Sequence, residues 1–77
     1  MKTIKELFNK IKWDPKERPE EYSFCFIDLG RLVELPYTSI KRIEGNFVVI
    51  EREGKEAEIP LHRVKEVHKR GAVVWKR

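Results

Sequence analysis

Residues 34–43, "ELPYTSIKRI", and residues 58–67, "EIPLHRVKEV", carry one pattern twice. Glu, an aliphatic residue and Pro are followed, four positions after the Pro, by Ile40 or Val64. Lys41 or Lys65 comes next, and Ile43 or Val67 lies two further on. With one extra residue allowed in the second turn, "FVVI" (47–50) then matches "AVVW" (72–75). The repeated unit reads as a strand, a Pro-led turn and a hairpin, and a short duplication is its economical explanation. Gly45-Asn46, Glu53-Gly54 and Arg70-Gly71 supply residues able to take positive φ at the reversals. A short helix in "HRVKEVHKR" (62–70) is the alternative, since Val64 and Val67 stand at i and i+3. The strand reading is preferred because its sister, "TSIKRIEG" (38–45), is too short for a useful helix.

Ahead of the repeat, "TIKELFNKIKW" (3–13) has the marks of a helix. Thr3 and Glu6 have capping-box spacing. Ile4, Leu7, Phe8 and Ile11 form a single apolar stripe, and Pro15 drives Asp14 out of helical geometry, so the helix should stop near Lys12 or Trp13. "YSFCFIDL" (22–29) reads as a strand with Tyr22, Phe24 and Phe26 on one face and Cys25, Ile27 and Leu29 on the other. Apolar residues on both faces suit a central strand covered from both sides, with Cys25 a small core residue. The expected architecture is a single α+β domain over residues 1–77. In it, the N-terminal helix packs on a small antiparallel, barrel-like sheet of about six short strands.

Of the 77 residues, 39% are charged and 40% hydrophobic, so the core must be compact and the surface ionic. Gln is absent and Met occurs only at position 1; with so much Lys and Glu, this composition points to a thermophilic source. One cysteine excludes an internal disulfide and fits a reducing, cytoplasmic setting. No apolar run is long enough to span a membrane. The net charge of +4 is uneven: residues 61–77 hold six basic side chains and one acidic, whereas residues 1–60 sum to −1. A second basic run comprises Lys2, Lys5, Lys10 and Lys12. Localised positive charge favours an anionic partner such as nucleic acid.

The duplication supplies an internal control for the sites. Where the first copy carries Thr38-Ser39, the second carries His62-Arg63. Small hydroxyl residues serve the turn in copy one, so turn geometry does not explain a large cationic pair in copy two. Arg presents a planar fork that fits phosphate oxygens, and an adjacent imidazole adds a donor. Trp13 beside Lys12, and Trp75 beside Lys76, either stack on an unpaired base or belong to the scaffold. Metal binding fits poorly by spacing. His62 and His68 are six apart, and there is no Cys-x-x-Cys or His-x-x-x-His. No phosphate loop, nucleophile elbow or paired His-x-Thr element is present. The residues therefore suggest a non-enzymatic binding module, without metal or cofactor.

"IKWDP" after an amphipathic helix, "IPLHR" near the end and the closing "VVWKR" together resemble an archaeal small-protein family. That family is described as the RNA cyclic-group end recognition domain. The resemblance covers essentially the whole chain and rests on order and spacing rather than on any one motif. It implies recognition of RNA ends, including 2′,3′-cyclic phosphates, alongside an RNA-processing or RNA-ligase enzyme. Matching positions are Lys12, Trp13, Asp14, His62, Arg63, Trp75 and Arg77. Many members carry a His-Arg-Gly stretch and a longer loop after the first strand; here Asp28-Leu29-Gly30-Arg31 passes directly to Leu32, so the basic contacts of that loop are either lost in part or moved to Arg31. The expected phosphate-binding set is His62 and Arg63, with Lys12, Trp13, Arg31, Lys65, Trp75 and Arg77 in support. The competing reading is a protein-interaction domain whose basic C-terminal face meets an acidic partner.

Overall fold

The computed structural model describes residues 3–77. Lys2, part of the N-terminal basic run, lies outside the described residues. Helix α1 spans Ile4–Trp13, with Thr3 as its N-cap: the Thr3 hydroxyl accepts from the Glu6 amide at 3.2 Å. Seven antiparallel strands follow: β1 (Tyr22–Asp28), β2 (Arg31–Pro36), β3 (Ile40–Glu44), β4 (Phe47–Arg52), β5 (Lys55–Pro60), β6 (Val64–Lys69) and β7 (Ala72–Lys76). Three-residue 3-10 turns, Tyr37–Ser39 and Leu61–Arg63, join β2 to β3 and β5 to β6.

The expected α+β class holds, but the strands close no barrel. They form two sheets, in the orders β2-β1-β6-β7 and β3-β4-β5. Both Pro-led turns explain why. Pro36 (φ −67°) and Pro60 (φ −60°) hold the chain extended, and a tight turn then redirects it out of one sheet and into the other. Copy one contributes β2 to the four-stranded sheet and the β3–β4 hairpin to the three-stranded one. Copy two does the reverse, with β5 beside β4 and the β6–β7 hairpin beside β1. Each copy thus lends a strand to the other's sheet, and the segment 62–70 is a turn and a strand rather than a helix. Lys65, directly after the second turn, is bulged out of the β1–β6 ladder; its counterpart Lys41 is bulged out of β3–β4.

The core lies between the sheets and beneath α1. Phe8 meets Phe24 and Tyr37 edge-on at 5.6 and 5.5 Å. The buried Tyr37 hydroxyl donates to the Phe8 carbonyl at 2.7 Å. Val48, Ile50, Ile59, Leu61, Val64 and Val67 complete the cluster. Strand β1 is central, as expected, but only one of its faces meets this core. Cys25 is buried yet sits on the opposite face, outside the core cluster, because side chains alternate along a strand. Leu29 leaves the strand altogether. It takes φ +50° in a tight turn with Gly30 (φ +77°) and is 95% exposed. On the outer face of the smaller sheet, Lys41, Arg42, Glu44, Glu51 and Glu56 form a ladder of ion pairs. Such networks gain weight as temperature rises. Among the described residues, no helix is long and apolar enough to cross a membrane.

Candidate nucleic-acid interface

The second Pro-led turn projects His62 and Arg63 outward while its first residue, Leu61, is buried. Among the described residues, neither His62 nor Arg63 forms an ion pair or a side-chain hydrogen bond. Arg63 borders a small open cleft of about 90 Å³ lined from both sheets. Phe26, Ile50, Ala57 and Ile59 give that cleft apolar walls, and Asp28, Arg52 and Glu58 join Arg63 as its charged groups. Arg52 leans towards Asp28 at 3.8 Å, so Arg63 is the cleft cation without such a tether. An unpaired guanidinium over an apolar floor can engage a phosphate through its fork while a sugar or base covers the hydrocarbon surface.

The other anticipated site residues divide into three groups. Arg31 is the cross-strand partner of Asp28, a cleft residue, but does not itself line the cleft. Lys65 stands next to the turn at the bulge and has no ion pair among the described residues. Lys12 and Trp13 end the helix elsewhere. The lysine ammonium lies 5.2 Å from its neighbour's ring centroid, and Trp13 is 74% exposed, so it does not plug the sheet.

Arg77 and Trp75 are engaged within the fold. Arg77 was expected to add electrostatic attraction, but its guanidinium donates to the carbonyls of Val64 and Leu61, both at 3.1 Å. It also lies 5.2 Å over the Trp75 ring. Those carbonyls belong to the turn and its exit, so Arg77 braces the backbone that presents His62 and Arg63. Trp75 packs against the core and offers a ring face to Arg77. The basic excess is also reduced: Arg70 pairs with Glu21, and Lys69 approaches Glu17 at 3.8 Å. Sequence reasoning missed Arg52, which reaches the cleft from β4 on the far side of the core. Its signal was only a lone arginine at a strand end.

The family model described as the MJ1316 RNA cyclic group end recognition domain matches residues 1–77. The chain belongs to this family. A UPF0248 protein of Metallosphaera sedula is 34% identical over 76 residues, covering 97% of this chain and 92% of that protein. A UPF0248 protein of Pyrococcus furiosus is 38% identical over 78 residues, covering 95% and 86% respectively. One from Saccharolobus solfataricus is 32% identical over 79 residues, covering 96% and 95%. No solved structure matches the chain.

Proposed function

We propose that this family member is an RNA-binding module that recognises phosphorylated RNA ends, the 2′,3′-cyclic phosphate among them, without turning its ligand over. The family's description supports RNA ends as the partner. The observation that carries the reading is the unpaired Arg63 guanidinium at the mouth of the inter-sheet cleft, beside the exposed His62. In this reading Arg63 takes the terminal phosphate bidentately and His62 donates a further hydrogen bond. Lys65, Arg52 and Arg31 supply attraction from the rim, and the terminal nucleoside rests on Phe26 and Ile59. Lys12 and the exposed Trp13 ring meet the strand farther from its end, where a base can stack. An RNA-processing or RNA-ligase enzyme then acts on the end so marked.

Fluorescence anisotropy with short RNAs ending in a 2′,3′-cyclic phosphate, a 3′-phosphate or a free hydroxyl tests this. Phosphorylated ends should bind more tightly than the hydroxyl. About three phosphate contacts on single-stranded RNA predict a slope near −2 in log affinity against log salt. Equal affinity for all three ends removes end recognition. Absence of binding at low salt removes RNA altogether and leaves the protein-interaction reading.

A further inference from the structure

The outer face of the four-stranded sheet carries a polar cluster that the RNA reading does not use. Cys25 Sγ, a carboxylate oxygen of Glu66 and a ring nitrogen of His68 all lie within 4.8 Å of one another. The sheet assembles them. Cys25 and Glu66 are cross-strand partners on β1 and β6, and His68 follows Glu66 by two positions, on the same face. On the other side of β1, Glu34 is the partner of Cys25. Its Oε2 lies 3.3 Å from His68 Nδ1 and accepts from the Ser23 hydroxyl at 2.7 Å. Glu66 Oε1 stands 2.8 Å from His68 Nε2.

This places carboxylate oxygens at both ring nitrogens. A neutral imidazole has one N–H and one lone pair. If Nδ1–H is given to Glu34, the Nε2 lone pair faces a Glu66 oxygen, and only a cation reconciles the two. A proton on Nε2 would do so, but it leaves Cys25 unaccounted for. That side chain is 4% exposed and lies outside the core cluster. A divalent ion engages all three groups.

We propose that Cys25, Glu66 and His68 form a three-ligand site for a borderline-soft divalent transition-metal ion of the Zn²⁺ class. A thiolate, a carboxylate and an imidazole suit such an ion and not Mg²⁺ or Ca²⁺, which prefer all-oxygen shells. The two anionic ligands cancel the charge of the ion. Glu34, itself held by Ser23, fixes the tautomer by taking Nδ1–H, the usual arrangement for a metal-bound histidine. Ligand atoms around zinc stand roughly 3.3–3.8 Å apart, so an ion entering the cluster has to open the Glu66–His68 contact of 2.8 Å, with all three ligand atoms already within 4.8 Å of one another. Glu66 and His68 are partly exposed, which leaves the remaining coordination position towards solvent. Lys76, across from Glu66 on β7, is the nearby competing cation. Binding releases the thiol proton to solvent, so affinity rises with pH.

Cobalt(II) titrated into the 77-residue chain should give a thiolate-to-metal charge-transfer band that saturates at one equivalent and is displaced by zinc. Calorimetry should show zinc affinity falling at least tenfold in Cys25→Ser and in His68→Ala, while His62→Ala retains it. Absence of the thiolate band in the wild-type protein overturns the site, and that reading does not depend on any variant folding. Unchanged zinc affinity in folded Cys25→Ser overturns it equally.

Discussion

Tyr37 and Leu61 open sister turns, and both are buried, yet the turns have been put to different uses. Tyr37 is locked beneath the helix by its hydrogen bond to the Phe8 carbonyl and by edge contact with the Phe8 ring. Thr38 and Ser39 then simply complete the bend. Leu61 fills the matching place with plain hydrocarbon, and Arg77, not the helix, braces the backbone behind it. Bracing from the carbonyl side leaves the outward positions of the second turn open, and they carry His62 and Arg63. One copy secures the helix, and the other leaves two basic side chains exposed.

The contrast breaks if the turns respond alike to mutation. Tyr37→Ala removes a packed aromatic ring and should lower stability by about 3–5 kcal/mol in urea unfolding. His62→Ala and Arg63→Ala should stay within ~0.5 kcal/mol of the parent. A loss above ~2 kcal/mol from either would assign the pair to the scaffold. Next in size is the effect on RNA. The double exchange His62→Thr with Arg63→Ser should weaken binding at least tenfold, or about 1.4 kcal/mol, with the melting curve unchanged. Adding Thr38→His and Ser39→Arg to that background should not restore affinity, because residues 38 and 39 do not border the cleft. Recovery would mean that charge alone suffices.

Smaller effects sharpen the same point. Tyr37→Phe deletes only the hydroxyl and should cost about 1 kcal/mol. Alkali reaches the same bond. Burial raises the Tyr37 pKa to about 12, and burial followed by the hydrogen bond to Glu17 raises that of Tyr22 to about 12. Both exceed the value of about 10 for an unfolded tyrosine. The stabilisation is therefore intact below pH 10 and lost as pH climbs through 12. Urea midpoints should fall over that window, and less steeply in Tyr37→Phe. The second turn, with Leu61, contributes nothing to this slope.

Local chemistry made the helix, its Thr3 cap, the β1 strand and the duplication readable, since each rests on neighbours in sequence. The division into two sheets was not readable. It depends on the direction the chain takes after Pro36 and Pro60, and the same residues are compatible with a curled single sheet. The site shows the same limit. The exposure of His62 and Arg63 followed from comparing the two copies, whereas Arg52 and the role of Arg77 depend on strands meeting across the fold. Cys25 was placed in the core because alternation gives the face of a strand but not what covers it. Glu34, Glu66 and His68 approach it from two neighbouring strands that no sequence spacing connects.

The exchange of strands between copies has an evolutionary implication. The exchange is unequal: β5 pairs directly with β4 of the other copy, whereas β2 pairs with β1, which belongs to neither copy and stands between β2 and the second hairpin. The four-stranded sheet is therefore built around a strand from outside the repeat, and tandem copies held in this way can diverge at one bend while the other keeps its contacts.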